Sequence, residues 1–369
     1  MPESELWRGD CIMPKRIIVI GSGIIGASIA WHLASRGADV TVIEAGAAGG
    51  LATRNSWAWI NASWGNPLPY FRLRERSMLE WRRLDRDVPG LTVNWCGGLI
   101  WDVEPAALDA FAAEHASWGY GIRRVTRDEI LRIEPNLRLA PEHAYHVAEE
   151  GMLEPLATAQ AMLAGAEALG ARLLEHAHVK WLVEDDGAVT GVMTDEGPIH
   201  ADETVVAAGG GTQQLLDSVG VTLKLNTPPG LLAHTRPLGE VLRGLVMTPG
   251  LHVRQTAEGR LVAGTDFAGA DPMDGAGELA DSLMQMIRGQ LIGAEEAELD
   301  FHTIGYRPTP ADGFPAVGRP GGRSGLYAAV THSGITLAPA IGLFAANELL
   351  EDNRDPLLDP YHPDRPALA

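Results

Sequence analysis

Cysteine is nearly absent: Cys11 and Cys96 are the only two in 369 residues. Two thiols cannot build a disulfide framework, and a reducing, cytoplasmic setting is the simpler expectation. Basic residues are also few. Against 48 Asp and Glu stand 29 Lys and Arg, a formal charge of −19 with no basic run. Nucleic acid and anionic membrane surfaces are therefore poor partners. No apolar run is long enough to span a bilayer. The most apolar late stretch, 326–350, is broken by Thr331, His332, Ser333, Pro339 and Asn347. Residues 1–15 carry Glu3, Glu5 and Asp10 and no apolar core of signal-peptide length. Met13 stands just before the first predicted strand, so 1–12 reads as an extension or a misassigned start. There is no internal repeat and no low-complexity linker. The pairs His143/His146 and His176/His178 lack further ligands at metal spacing, and no metal is expected.

What is present is a chain long enough to bury a large core in about two domains. It is organised around residues 16–44. An apolar, β-branched run at 17–20 suits a buried parallel strand. Gly21, Gly23 and Gly26 follow as G-x-G-x-x-G. Ile25, Ile29 and Leu33 then recur at helical spacing until Gly37, and Val40, Val42 and Ile43 lead to Glu44. Gly21 permits the tight turn, Gly23 lets a pyrophosphate approach the backbone, and Gly26 lets helix and strand pack closely. The helix N-terminus offers unpaired N–H groups to phosphates. Glu44 stands where a carboxylate accepts from ribose hydroxyls and repels a 2′-phosphate, which argues against NADP.

Beyond Glu44, small residues give way to Thr53, Arg54, Asn55 and Ser56, then to Trp57, Trp59 and Trp64. The polar group is expected to meet the cofactor; the alternative is a surface loop with a tryptophan-pinned end. Residues 70–84 predict an amphipathic helix with Phe71, Met78, Leu79 and Trp81 inward. In 91–103, two short strands are expected to join at Gly97–Gly98, with helices over 104–118 and 126–133. A helix over 155–170 precedes strands at 171–174, 178–183, 188–194, 198–200 and 204–208. The last of these runs into Gly209, Gly210 and Gly211 and a further helix, a second strand–glycine–helix junction. Strand-like stretches at 243–255 and 258–267 predict a hairpin, followed by a helix over 278–291. A strand at 326–330 and a helix to about residue 350 close the pattern. Residues 351–369 are polar and proline-rich and are expected to form a surface tail.

Four motifs together resemble the D-amino-acid oxidase, glycine oxidase and sarcosine oxidase superfamily. They are the fingerprint ending at Glu44, E-G-M-L-E-P at 150–155, V-V-A-A-G-G-G-T at 205–212, and G-Y-R-P-T-P-A-D-G-F-P-A-V-G at 305–318 with T-H-S-G-I-T-L-A-P-A-I-G at 331–342. The resemblance implies an α/β fold: a Rossmann-like FAD-binding domain of glutathione-reductase type with an interleaved antiparallel α+β substrate domain. The expected FAD segments are 14–87, 150–219 and 304–352, and the substrate segments are 88–149 and 220–303. It implies FAD rather than NAD, touched by Gly21, Ser22, Gly23, Ile25, Gly26, Glu44, Ala45, Thr53, Arg54, Asn55, Ser56, Val179, Ala208 and Gly209. His332, Ser333, Gly334, Ile335 and Thr336 would meet the flavin ring, where a helix dipole favours negative charge on the reduced ring.

In amino-acid-oxidising relatives the arginine of G-x-R-P, here Arg307, grips the substrate carboxylate, a task suited to a planar guanidinium. The alternative for Arg307 is a structural ion pair with Asp312. His252 takes the place of a carboxylate-binding tyrosine of glycine oxidases, or is a plain surface-strand histidine. Residues 303–307 hold no cysteine where covalent-flavin relatives attach FAD, so FAD is expected to be non-covalent. Val262 stands where sarcosine oxidases carry an oxygen-activating lysine, which favours a dehydrogenase over an oxidase. The reaction implied is oxidation of an amino acid or secondary amine by hydride transfer, driven by positioning and desolvation, with no dedicated base required. Oxygen or another acceptor would take the electrons. Rival readings are a 2-hydroxy-acid or polyol-phosphate dehydrogenase, and a flavin-binding electron-relay subunit. The sequence says nothing of the oligomeric state.

Overall fold

A computed structural model describes residues 13–63, 65–265, 272 and 275–368. Its first sheet has six strands, in the order Ala316–Gly318, Leu326–Val330, Glu203–Val206, Arg16–Ile20, Asp39–Ile43 and Arg172–Leu174. All neighbours are parallel except the first pair. The central strand is apolar on both faces because both faces are covered. Ile17 and Val19 pack with the helices Ile24–Ala34 and Gly334–Glu351. Ile18 and Ile20 turn the other way, onto Val179, Leu182, Val189 and Val192. Those residues belong to a three-stranded antiparallel sheet of Val179–Asp185, Ala188–Thr194 and Gly197–His200.

A second sheet of eight strands gathers two stretches far apart in sequence. Leu299–Tyr306, Pro229–Thr235, Leu261–Gly264, Leu251–Gln255 and Leu245–Thr248 come from the later stretch. Gly98–Ile100, His143–Val147 and Ile122–Thr126 come from the earlier one. A parallel pairing of Leu245–Thr248 with Gly98–Ile100 joins the two. One face is closed by the helix Ala276–Gln290, whose Ala280, Leu283, Met284 and Ile287 make an i, i+3, i+4, i+7 stripe. The other face carries Leu232, Leu245, Met247 and Val262 into the core shared with the first sheet. The strand Leu299–Tyr306 runs across the expected segment boundary at 303/304.

Several expectations need correction. Residues 91–100 form no hairpin: Asn94 bridges Met152, while Gly98–Ile100 pairs with His143–Val147. Leu79 faces solvent, 56% exposed, although Phe71, Met78 and Trp81 are buried in the helix Leu68–Asp87. The C-terminal stretch is not a surface tail. Leu358, Tyr361 and Leu368 are buried, and Arg365 grips Asp312 with bonds of 2.7 and 2.9 Å. Trp64 and the end of the predicted 258–267 strand lie outside the described residues. No helix among the described residues is long and apolar enough to cross a membrane, and none of their His, Cys, Asp and Glu cluster as a metal site would require.

Candidate active site

Four parallel strands of the first sheet end on the same edge. They deliver Gly21, Glu44, Ala207–Gly209 and Thr331–Ser333 to one crevice, at the point where the chain leaves Arg16–Ile20 for strands on either side. The turn at Gly21 is held by its N–H donating to Ile43 O at 2.8 Å, with φ of 100°. A Cβ at Gly26 would overlap Gly21 O, so the first helix can start only because position 26 is bare. Glu44 accepts from Ser22 N at 2.9 Å, Ser22 Oγ at 2.8 Å and Gly46 N at 3.0 Å. Thr53 Oγ1 accepts from Ile24 N at 3.0 Å and ties the following loop to the helix start.

The resulting groove encloses about 600 Å³. Gly21, Gly23, Ile25, Glu44, Ala45, Thr53, Ser56, Val179, Ala208, Gly209, Gly334 and Ile335 line it. A dinucleotide fits this lining. A Cβ on Gly50 would stand 2.7 Å from Gly23 Cα, so the loop keeps side chains out of the place phosphates need. Thr331 Oγ1, at the groove wall, is buried with no hydrogen-bond partner among the described residues, a group ready for a bound one. Ser22, Gly26 and Arg54 support the groove without lining it. Arg54 is spent on its own loop, donating to Gly50 O at 3.1 Å and Ala47 O at 3.3 Å.

At Ala52, Ser56, Gly334 and Ile335 the groove meets a second cavity of about 260 Å³. Its wall is assembled from both sheets: Asn55, Trp57, Trp59, Asn61, Ser63, Tyr70, Arg74, Gly230–Leu232, Gly305, Arg307, Asp312–Phe314 and His332–Thr336. The last group is the start of the helix Gly334–Glu351, whose first turn holds no acid. Its N–H groups and positive end face the junction of the two cavities. Thr336 Oγ1 donates to Trp59 O at 3.1 Å and Trp81 Nε1 donates to Ile335 O at 2.9 Å, which fixes the helix start. Arg307 is held at its backbone by Pro228 O (3.2 Å), and its Nη2 donates to Pro229 O at 3.4 Å. Asp312 does not pair with it, being held by Arg365. Burial, with Arg307 and Arg74 nearby, lowers His332 to about 4, so it is neutral at pH 7.

His252 is neither a cavity residue nor a surface one. It is buried, 2.8 Å from Asp102 Oδ2 and 5.8 Å from the Trp57 ring, which lines the cavity in its stead. Asn55 belongs to the smaller cavity, with its Nδ2 donating to Ile304 O at 3.3 Å. Arg74 belongs to no motif in the sequence. It is buried, donating to Asn61 O at 3.0 Å, Asn61 Oδ1 at 2.6 Å and Ser333 Oγ at 2.7 Å. Its signal was its place in the apolar stripe of Tyr70, Met78 and Trp81, where a cation needs a reason.

A parallel-sheet dinucleotide groove that opens into a small cavity holding an arginine defines a dinucleotide-dependent enzyme for a small molecule. The family is narrower. Residues 16–348 match the family model DAO, FAD dependent oxidoreductase, and the chain belongs to that family. Glycine oxidase of Bacillus licheniformis is 28% identical over 342 residues, covering 90% of this chain and 92% of the relative. The crystal structure of glycine oxidase from Geobacillus kaustophilus superposes with a TM-score of 0.85 at 24% identity, over 95% of this chain and 99% of that one. L-proline dehydrogenase from P. horikoshii gives 0.85 at 23% identity, over 95% and 98%.

Proposed function

We propose that this enzyme oxidises the C–N bond of a small amino acid or N-alkyl amino acid, with the six-stranded half holding FAD and the eight-stranded half walling the substrate. The observation that carries the reading is that Arg307 lines the same small cavity as residues 332–336, beside the end of the dinucleotide groove. Gly21, Gly23, Glu44 and Thr53 would hold the ADP half, and Ser333–Thr336 the ring end; FAD, when bound, supplies the acceptor for the α-hydrogen and its electron pair, leaving an imine that water hydrolyses. Arg307 grips the substrate carboxylate and sets the angle of the Cα–H bond. Trp57, Trp59, Tyr70 and Phe314 exclude water around it. Neutral His332 adds no charge there. Val262, a buried strand residue, offers no cation to aid oxygen reduction, which supports an acceptor other than oxygen. Scarce cysteine supports a cytoplasmic setting.

The experiment is anaerobic flavin bleaching with a panel of glycine, sarcosine, proline and other amino acids, followed by admission of air. Bleaching by amines with no peroxide on re-aeration is the expected result. Bleaching by 2-hydroxy acids alone would overturn the substrate class.

A further inference from the structure

Between residues 57 and 63 every second side chain, Trp57, Trp59, Asn61 and Ser63, lines the smaller cavity. Behind two of them stands Glu150. It is fully buried, and no Lys, Arg or His lies within ion-pair distance among the described residues. Its oxygens are instead met by neutral donors. Trp59 Nε1 donates to Oε2 at 2.8 Å, Tyr120 OH to Oε1 at 2.6 Å, and Ser63 Oγ also to Oε1. Tyr120 OH is itself fixed by Ala62 N at 3.1 Å. Ser63, itself fully buried, stands in the cavity wall with its Oγ between Tyr120 OH, at 3.3 Å, and the buried carboxylate.

An amino acid arrives mostly as an ammonium ion at neutral pH. It cannot give up its α-hydrogen with an electron pair until its nitrogen carries a free pair of its own. We propose that Ser63 and Glu150 form a proton relay that neutralises the substrate ammonium before oxidation. The ammonium N–H bond breaks as its proton passes to Ser63 Oγ, and the Ser63 hydroxyl proton passes to Glu150 Oε1. The amine keeps the electron pair, serine is restored, and Glu150 ends as the neutral acid. No redox change is involved. Glu150 acts through Ser63 and does not touch substrate. The relay rests on the amine reading given above; it adds a proton acceptor for nitrogen where none is needed at carbon.

The surroundings suit the role. Burial raises the Glu150 carboxyl to about 7, with Ser63, Tyr120, Trp59 and more distant Arg74 opposing the rise. The other groups near it are shifted away from that value. Tyr120 is pushed well above its ordinary value by burial and Glu150, and burial lifts Cys96 to about 11. His146, near Gly97, is lowered by burial.

The test uses the FAD-loaded enzyme with two probes. Glycine reports anaerobic reduction; 2-aminoisobutyrate, which lacks an α-hydrogen, reports binding alone through the flavin spectrum. Wild type should bind 2-aminoisobutyrate about tenfold more tightly at pH 8 than at pH 6, with acetate showing no such rise. Ser63→Ala should flatten that rise and slow reduction about 100-fold at pH 7, while Ser63→Thr restores both. Glu150→Gln should behave like Ser63→Ala. If it fails to fold, Ser63→Ala decides alone, because Trp59 and Tyr120 still satisfy Glu150 in that variant. A Ser63→Ala enzyme with the wild-type profile would overturn the relay and leave the amine reading standing. Wild type that no amine reduces would overturn both.

Discussion

Around the dinucleotide groove the shape is made by backbone; around the smaller cavity it is made by side chains. Gly21, Gly26 and Gly50 work by having nothing at Cβ, and these three lie within about one βαβ unit. Trp59, Asn61, Ser63, Arg74, Arg307 and Phe314 work by what they carry, and they come from stretches more than 200 residues apart. A backbone cradle tolerates no added atom but constrains few identities elsewhere. A side-chain wall can change chemistry one residue at a time over an unchanged cofactor groove.

The largest blow to the first region is Gly26→Ala. Its Cβ would overlap the carbonyl of the turn at Gly21, and neither backbone segment can yield without opening the sheet–helix junction. The expected result is colourless protein with FAD affinity reduced at least about 100-fold, read by absorbance and flavin titration. Yellow protein of unchanged affinity would remove the backbone side of the contrast.

Arg307→Ala tests the other region. On the proposed role, losing two charge-assisted hydrogen bonds to a carboxylate costs about 3–5 kcal/mol, or roughly a thousandfold in kcat/KM for amino acids. FAD affinity should not move, so a flavin titration beside the kinetics shows whether the two regions are separable.

The two regions also carry opposite acid responses. Burial depresses His32, in the first helix, to about 3, with its Nδ1 donating to Ser28 O at 2.8 Å and Arg83 close by. Its stabilising contribution is complete above its unfolded value of 6.5 and falls as pH drops toward 3. Glu150, raised to about 7, contributes fully below its unfolded value of 4.5 and loses that contribution as pH rises through 7. Between pH 5 and 6.5 each changes stability by about 2 kcal/mol in opposite directions. Wild-type Tm should therefore be nearly flat there. Glu150→Gln should unmask a rise in Tm with pH, and His32→Asn a fall. Parallel curves for all three proteins would show that neither group is linked to folding.

The smallest effect is expected of Glu44→Ala. If Glu44 accepts from the ribose as proposed, its loss should weaken FAD about tenfold, some 1.4 kcal/mol, and leave KM for substrate unchanged. A changed KM would tie the groove to the cavity more closely than the contrast allows.

The same division explains what could be read in advance. The glycines, Glu44 and the segment 331–336 announce themselves because a turn, a helix start and a strand end must be contiguous. Arg307 was visible through its motif, yet its neighbours were not. Asp312, five residues away, is taken by Arg365 from the C-terminal stretch, a pairing that spacing cannot show. Arg74 was hidden inside a helical stripe whose apolar members dominate the pattern. His252 fell on a strand, but which face met Trp57 and Asp102 depended on pairing with strands elsewhere.

The sequence by itself determined the parallel sheet and the glycine-bearing turn and helix start at its edge. Those follow from period, chain reversal and the absence of Cβ atoms, all local properties. Only the tertiary structure decided which buried polar side chains meet. Glu150 finds Trp59, Ser63 and Tyr120 across 91, 87 and 30 residues of chain. Contacts of that kind depend on long-range pairing, such as Trp59 with Met152, and no local pattern encodes that.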